Sequence, residues 1–289
     1  MPGEKTAVLI AGPTASGKSA LALEIARKRG GIIINADSMQ VYRELRILTA
    51  RPTPAEQAEI PHRLYGCVSA AEPWSVGTWL DEARKEIAAA WEEGKVPIVV
   101  GGTGLYFKVL EQGLADIPAI PTAIRTKWRK AEGDLHGELA RRDPEGAAQL
   151  ERGDRQRLVR ALEVIEASGK PLRFWHAEAG EAAILKGVAG ERLFVNLDRG
   201  LLHERAGRRF ERMIDDGAID EVRALHALNL PPSQPVMKAI GVRELGEYIH
   251  GKSTINEAVT QAQTATRQYI KRQLTWWRHQ MSGWTVAGT

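Results

Sequence analysis

The feature that most constrains this chain is a glycine-rich stretch at residues 12–19, which follows the phosphate-loop pattern of Gly, four residues, then Gly-Lys-Ser. An apolar run at 7–10 precedes it and a helix-prone run at 20–27 follows, which is the strand–loop–helix setting that the motif requires. An ordinary glycine-rich turn would explain the glycines but not a Lys-Ser pair at a helix start. We therefore predict a cradle whose backbone N–H groups face a diphosphate. Its residues are Gly12, Pro13, Thr14, Ala15, Ser16, Gly17, Lys18 and Ser19.

Two side chains of this loop have individual roles in the prediction. Lys18 supplies a positive charge to the diphosphate and is a catalytic candidate. Ser19 supplies a hydroxyl to Mg²⁺, the cofactor that we expect. The loop alone does not say whether the diphosphate belongs to a nucleotide or to another molecule.

Length and composition set the protein class. The 289 residues are 26% charged and 43% hydrophobic, as in globular proteins, and no apolar run is long enough to cross a bilayer. Cys67 is the only cysteine, which excludes an internal disulfide and a cysteine-rich zinc site. Because the phosphate loop begins so early, a removable signal peptide has no room, and we expect a cytoplasmic protein with no membrane partner. The net charge of +4 is compatible with a polyanionic partner without requiring one.

The order of apolar runs predicts an α/β fold. Buried strands are expected at 7–10, 31–38, 96–100 and 193–198, and helices at 79–93, 154–167, 203–215 and 255–281. We predict a phosphate-loop core with a parallel sheet flanked by helices, plus a helical insertion domain. The predicted core is 1–113 with 188–289, and the insertion is 114–187, where the sequence is charged and has no strand pattern.

Two further candidates follow predicted strands. Asp37 stands at the carboxyl end of 31–38, the edge at which open α/β sheets bind ligands, although an Asp that caps the next turn is the structural alternative. The strand at 96–100 runs into Gly101, Gly102 and Thr103, where a phosphate-loop ATPase usually has the Asp that holds Mg²⁺. This disfavours ATP hydrolysis and presents the Thr103 hydroxyl in a tight turn, although a simple strand-to-helix turn is equally compatible.

Basic residues crowd the insertion and two later helices. A solvated face is the usual meaning of such clusters, but arginine with glutamine also suits phosphates and base edges. Arg205 lies on the helix at 203–215 and is counted with Asp37, Lys18 and Thr103 among the catalytic candidates. On the last helix, Arg267, Lys271 and Arg278 share one face, and the aromatic side chains are expected to pack in the core. These are Tyr269, Trp276 and Trp277.

Five ordered motifs resemble those of the bacterial tRNA dimethylallyltransferases, and the resemblance covers nearly the whole chain. They are Gly-Pro-Thr-Ala-Ser-Gly-Lys-Ser at 12–19, Asp-Ser-Met-Gln-Val-Tyr at 37–42, Gly-Gly-Thr-Gly-Leu-Tyr at 101–106, Asp-Arg-Gln-Arg-Leu-Val-Arg-Ala-Leu-Glu at 154–163 and Ala-Thr-Arg-Gln-Tyr-Ile-Lys-Arg-Gln-Leu-Thr-Trp at 265–276. Many enzymes share the phosphate loop, but this ordered set is specific.

The resemblance implies transfer of a dimethylallyl group from dimethylallyl diphosphate to the exocyclic amine of the adenosine just 3′ of the anticodon. By matching motif, Asp37 resembles the general base, Lys18 and Ser19 resemble parts of the diphosphate and Mg²⁺ site, and Thr103 resembles a substrate contact. The expected partners are the tRNA anticodon stem-loop and dimethylallyl diphosphate, and the expected state is a monomer. The positions that resemble tRNA contacts are Asp37, Ser38, Met39, Gln40, Thr103, Arg125, Gln156, Arg157, Leu158, Val159 and Arg160.

The chain departs from the family pattern in one region. After Tyr42 the family commonly reads Arg-Gly-Leu-Asp-Ile-Gly-Thr-Ala-Lys-Pro, whereas residues 43–52 read Arg-Glu-Leu-Arg-Ile-Leu-Thr-Ala-Arg-Pro. Residues 61–66 read Pro-His-Arg-Leu-Tyr-Gly where Pro-His-His-Leu-Ile-Asp is usual.

Two other function classes remain open from the residues alone. A phosphate-loop small-molecule kinase also pairs this loop with an Asp after the second strand, and turnover of ATP on a small acceptor would favour it. A non-catalytic RNA-binding module would account for the arginines but not for Lys18, Ser19 and Asp37 at one edge.

Overall fold

The computed structural model describes residues 5–178 and 183–288. Its centre is a parallel sheet of six strands in the order β3-β2-β4-β1-β5-β6. The strands are β1 (Thr6–Ala11), β2 (Gly31–Asn35), β3 (His62–Arg63), β4 (Val96–Gly101), β5 (Ala189–Val195) and β6 (Thr285–Ala287). The predicted α/β class with a parallel sheet is therefore confirmed.

The described residues also form α-helices, numbered here in chain order. They are α1 (Lys18–Arg29), α2 (Pro54–Glu59), α3 (Val76–Glu92), α4 (Gly104–Gln112), α5 (Thr122–Lys130), α6 (Leu135–Arg142), α7 (Pro144–Ala148), α8 (Arg155–Ser168), α9 (Leu172–Glu178), α10 (Arg199–Asp215), α11 (Ala218–Ala227), α12 (Val242–Ile249) and α13 (Ile255–Gln280). Within the described ranges, no helix is both long and apolar enough to span a membrane, α13 included.

The three central strands are apolar because both of their faces are covered. Almost every residue of β1, β2 and β4 is buried, and Val8 pairs in register with Ile98 while Ile33 pairs with the same Ile98 from the other side. Since β4 lies between β1 and β2, the carboxyl ends of these three strands are neighbours. The segments that follow β1, β2 and β4 therefore lie together at the carboxyl edge of the sheet.

Local signals account for the helix boundaries. Ser75 caps α3 by accepting a hydrogen bond from the backbone N–H of Thr78, so the helix begins at Val76, three residues before the predicted start at 79. Asp154 caps α8 in the same way, and Gly169 ends it in the left-handed conformation. Helices were predicted at each of these places, and the caps shift their ends by a few residues.

The edges of the sheet differ from the prediction. Strands β3 and β6 have two and three residues, too few to show a period of two, and they were not predicted. The strand predicted at 193–198 is β5, which ends at Val195 because Asp198 caps α10 through the N–H groups of Gly200 and Leu201.

The chain divides into two compact units, which we call the core unit (1–108 and 187–289) and the insertion (109–186). The core unit is built on apolar side chains of β1, β2 and β4 packed against α1. The described part of the insertion is helical, and its own apolar centre includes Trp128, Leu139, Leu158 and Leu162. The predicted insertion, 114–187, begins five residues later and ends one residue later than this unit.

Candidate active site

The phosphate loop follows β1 and has the backbone that an anion cradle needs. Ala15 and Gly17 both have positive φ, at 66° and 94°, so the loop curls before α1 begins at Lys18. At Gly12, a Cβ would lie 2.7 Å from the carbonyl oxygen of Val195, so only glycine fits. The hydroxyl of Ser16 is fully buried and has no hydrogen-bond partner.

Lys18 is a cation held in a poorly solvated place. Its Nζ donates to the carbonyl oxygen of Pro13 at 3.3 Å. Burial lowers the pKa of Lys18 to about 8, an effect that Asp37 opposes and Arg209 reinforces. A negatively charged ligand would restore the charge balance at this ammonium.

Asp37 follows β2, which β4 separates from β1, and it is held by three hydrogen bonds. Its Oδ1 accepts the backbone N–H of Met39 at 2.9 Å, and its own N–H donates to Asn35 Oδ1 at 2.8 Å. The amide of Asn35, fully buried, also donates to the carbonyl oxygens of Asp37 and Leu64. The backbone carbonyl of Asn35 in turn accepts the indole N–H of Trp79 at 2.8 Å. Asn35 is therefore a positioning residue that the sequence analysis missed.

The turn after β4 closes this edge. Thr103 Oγ1 accepts the backbone N–H of Ser38 at 3.0 Å, and the N–H of Thr103 donates to Ala36 at 3.1 Å. At Gly101, a Cβ would lie 2.0 Å from the carbonyl oxygen of Ala36. The position at which ATPases carry their metal-binding Asp thus has no room for a side chain in this protein.

A pocket of about 240 Å³ opens beside these strand ends, and we call it the main pocket. All of its lining residues belong to the core unit. Its polar lining comes from the phosphate loop, the segment after β2, helices α10 and α13, and the segments that carry Thr49 and Lys238, and its apolar lining comes mainly from α10 and those same segments. The lining residues are Thr14, Asp37, Ser38, Met39, Leu48, Thr49, Ala206, Arg209, Phe210, Met213, Lys238, Ala239, Ile240, Thr266, Tyr269 and Arg272.

The arginine that α10 contributes to the pocket is Arg209, not Arg205. Arg205 is exposed and does not line the main pocket. Burial lowers the pKa of Arg209, which Asp37 opposes and Arg212 reinforces. The structure therefore places Arg209, one helical turn after Arg205, at the main pocket, because α10 carries arginines on more than one face.

Gln273 joins two strand ends from α13. Its Oε1 accepts the backbone N–H of Thr14 and its Nε2 donates to the carbonyl oxygen of Gly102, both at 3.0 Å. The side chain is only 4% exposed. Gln273 thus braces the phosphate loop against the end of β4, a role that the sequence does not announce because a Gln on a long helix is usually exposed.

The aromatic residues of α13 divide between two roles. Trp277 is buried against Phe107, Phe194 and Trp284, as predicted. Tyr269 was also assigned to the core, and this was wrong: it is half-buried and lines the main pocket. Burial raises the pKa of Tyr269, nearby Asp37 raises it further, and Arg272 and Thr103 oppose this, so Tyr269 remains a neutral hydroxyl.

Ser19 and Gln40 do not line the main pocket. Both line a second pocket of about 70 Å³ rather than the main pocket. The amide of Gln40 donates to the carbonyl oxygens of Thr49 and Ala50, so it holds a loop in place. Ser19 is exposed at the first turn of α1.

The remaining predicted residues are in the insertion. Arg125, Gln156 and Arg157 are exposed, and Arg160 is half-buried. Leu158 and Val159 are buried in the apolar centre of the insertion, where their side chains serve packing. The tRNA contacts expected at 156–160 remain a prediction.

Positive charge accumulates around Arg160. Burial lowers its pKa, Glu163 opposes this, and both Arg125 and Arg129 reinforce it. Glu163 lies 3.3 Å from Arg129 and 3.9 Å from Arg160, so one carboxylate faces several guanidinium groups. The excess of positive charge around Arg160 is suited to binding a polyanion.

The described residues hold no group of three or more His, Cys, Asp or Glu side chains arranged for a metal ion. Mg²⁺ bound with a phosphate compound needs few protein ligands, because phosphate oxygens and water complete its shell. The exposed hydroxyl of Ser19, beside a cradle with an orphaned Ser16 hydroxyl, fits such an ion.

Two family models match this sequence. The one described as IPP transferase matches residues 40–280, and the one described as isopentenyl transferase matches residues 5–69. A tRNA dimethylallyltransferase of Methylobacterium sp. (strain 4-46) is 54% identical over 284 residues, which cover 96% of this chain and 92% of the relative. Another from Chelativorans sp. (strain BNC1) is 50% identical and covers 96% of both chains.

Comparison with solved structures indicates the same family as the sequence relatives. A tRNA delta(2)-isopentenylpyrophosphate transferase of Staphylococcus epidermidis superposes with a TM-score of 0.69 at 31% identity, covering 99% of this chain and 93% of that one. A eukaryotic dimethylallyltransferase acting on tRNA gives a TM-score of 0.86 at 27% identity, covering 99% and 74%. Together with the phosphate loop, Asp37 and the turn at Thr103, these matches show that the chain belongs to the tRNA dimethylallyltransferase family, a family of prenyltransferases.

Proposed function

We propose that this protein transfers a dimethylallyl group from dimethylallyl diphosphate to the exocyclic amine of the adenosine 3′-adjacent to the anticodon of a tRNA. The observation that carries the proposal is the main pocket, which brings Asp37 and Arg209 together beside the phosphate loop. The family membership supports it, and Gly101 argues against an ATP-hydrolysing arrangement because that strand end has no space for a carboxylate.

The donor is held by its diphosphate. Backbone N–H groups of the loop supply partial positive charge, and the Lys18 ammonium and the Arg209 guanidinium are the cations that bind the diphosphate in this proposal. As the bond to the diphosphate lengthens, negative charge grows on the leaving oxygens, and desolvated cations stabilise that charge more than they stabilise the bound donor. Lys18 and Arg209 are thus expected to act on the chemical step.

We propose Mg²⁺ as the cofactor, held by the Ser19 hydroxyl together with diphosphate oxygens. When bound, the ion neutralises part of the charge on the departing diphosphate.

Asp37 accepts the proton. The adenine amine is a weak nucleophile because its lone pair is delocalised into the ring. Its nitrogen forms a bond to C1 of the allyl group, and the C1–O bond breaks with its electron pair left on the diphosphate. The proton displaced from the amine moves to the Asp37 carboxylate, which Asn35 and the N–H of Met39 hold in one orientation.

The target base must leave its stack to reach Asp37, at a cost of a few kcal/mol. Tyr269 offers an aromatic face at the pocket, and Arg272 lies 5.6 Å from its ring centre. We propose that the arginines near Arg160 bind phosphates of the anticodon stem-loop. Since the main pocket is lined within a single chain, we also propose that a monomer is active.

The test combines the protein, Mg²⁺, labelled dimethylallyl diphosphate and unmodified tRNA, with γ-labelled ATP present as a competing donor. We expect the allylic label in the tRNA and no label from ATP in any product. A matched tRNA with guanosine in place of the target adenosine has no amine at that ring position and should take up none. Phosphorylation from ATP without allylic transfer would instead support the small-molecule kinase.

A further inference from the structure

One wall of the main pocket is made by Leu48, a residue in the loop where the chain departs from the family pattern. Leu48 is 8% exposed and lines the pocket with Phe210 and Met213 of α10. A Cβ at Gly241 would lie 2.6 Å from Leu48 Cδ1 and 3.1 Å from Phe210. The Leu48 side chain is therefore backed by the Gly241 backbone and has no space behind it.

The loop that carries Leu48 is fixed by a single carboxylate. Glu221 of α11 accepts the backbone N–H groups of Arg46 at 2.5 Å, Ile47 at 2.8 Å and Leu48 at 2.8 Å. The Gln40 amide holds the next two carbonyl groups at 2.8 and 3.0 Å. Leu48 is therefore a rigid wall rather than a side chain that moves aside with its loop.

The pocket changes character along α10. Arg209 lies close enough to Asp37 for their charges to interact, whereas Phe210 and Met213 of the same helix contribute apolar lining, as Leu48 does. An allylic diphosphate has the same division, with charge at one end and hydrocarbon at the other. A donor whose diphosphate lies at the phosphate loop would direct its hydrocarbon toward Leu48.

We propose that Leu48 sets the upper limit on the length of the donor's hydrocarbon, so that a five-carbon allylic diphosphate fits and a ten-carbon one meets the leucine side chain. This rests on the proposed function. Glu221 fixes the loop, and the Gly241 backbone prevents the Leu48 side chain from moving back. A donor with a longer hydrocarbon chain can therefore enter only if the side chain at position 48 becomes smaller.

The experiment measures kcat/KM for dimethylallyl diphosphate and for geranyl diphosphate on unmodified tRNA. In Leu48→Ala, the ratio of geranyl to dimethylallyl kcat/KM should rise by about tenfold or more, the usual worth of relieving such a contact in an apolar pocket. Leu48→Val should give a smaller rise, and the KM for tRNA should not change in either. Leu45→Val is the matched control: Leu45 is fully buried in the same loop but does not line the pocket, so its ratio should equal that of the parent.

The outcomes separate the two proposals. A parent enzyme that transfers neither donor to tRNA overturns the proposed function and this inference with it. Dimethylallyl transfer with the same donor ratio in the parent and both folded Leu48 variants overturns the inference alone. An unchanged donor ratio with an altered KM for tRNA would show that Leu48 faces the target base, which also overturns it.

Discussion

The main pocket of the core unit and the arginines of the insertion hold positive charge in opposite ways. Lys18 and Arg209 are poorly solvated, burial lowers the pKa of both, and no ion pair of either is present among the described residues. In the insertion, Arg157 lies 3.3 Å from Asp154, Arg129 lies 3.3 Å from Glu163, and most of these guanidinium groups are exposed. Poorly solvated cations at a single site act on one anion at one place, whereas exposed, paired cations act as a sum and are screened by salt.

The largest expected effect tests the chemistry of the core unit. Asp37→Asn retains the size and the hydrogen bond from Met39 but cannot accept a proton. We expect kcat to fall by about 10² to 10⁴, with the KM for dimethylallyl diphosphate little changed. Single-turnover transfer to labelled tRNA measures it. A variant that keeps kcat and loses only tRNA affinity would make Asp37 a positioning residue.

The next effect separates two arginines on the same helix. Arg209→Ala removes a desolvated cation from the main pocket and should lower kcat by about 10² or more. Arg205→Ala is the matched control, since Arg205 is exposed and outside the pocket, and its kcat should equal that of the parent. An equal loss of kcat in the two variants would contradict a specific role for Arg209 in the main pocket.

A smaller effect depends on pH. Burial lowers the pKa of Lys18 to about 8, so the free enzyme holds a charged Lys18 below that pH and loses the proton as pH rises through it. The KM for dimethylallyl diphosphate should therefore rise above pH 8, approaching about tenfold per pH unit. Lys18→Arg remains protonated throughout and should show no such rise. A parallel rise in both enzymes would place the titrating group elsewhere.

The smallest effect belongs to the insertion. Arg160→Gln should raise the KM for tRNA by a few-fold without changing kcat, and the slope of log K against log salt should become shallower by about 0.7 to 0.9 for one lost phosphate contact. Arg208→Gln, an exposed arginine of the core unit, serves as the control and should leave the slope as it is. Identical slopes for Arg160→Gln and the parent would show that the insertion arginines are only a solvated face.

Much of the site follows from the sequence because parallel strands end at one edge. The phosphate loop, Asp37 and Thr103 each come directly after an apolar run, and their convergence needs only the strand order. Arg209 could not be chosen over Arg205, because arginines at 205, 208, 209 and 212 leave the inward face of α10 undecided. Tyr269 and Gln273 depend on how α13 packs, which no local pattern encodes, and strands β3 and β6 are too short to predict.

The brace made by Gln273 has a consequence for how the enzyme is made. The residues joined by its bond to Thr14 are 259 positions apart, so the phosphate loop is synthesised long before the side chain that secures it. Tyr269 and Arg272, which line the main pocket from the same helix, are also synthesised late. During translation the nascent chain therefore contains the whole phosphate loop before the main pocket is complete. A product of synthesis interrupted before α13 would carry the phosphate loop without the residues that complete the main pocket.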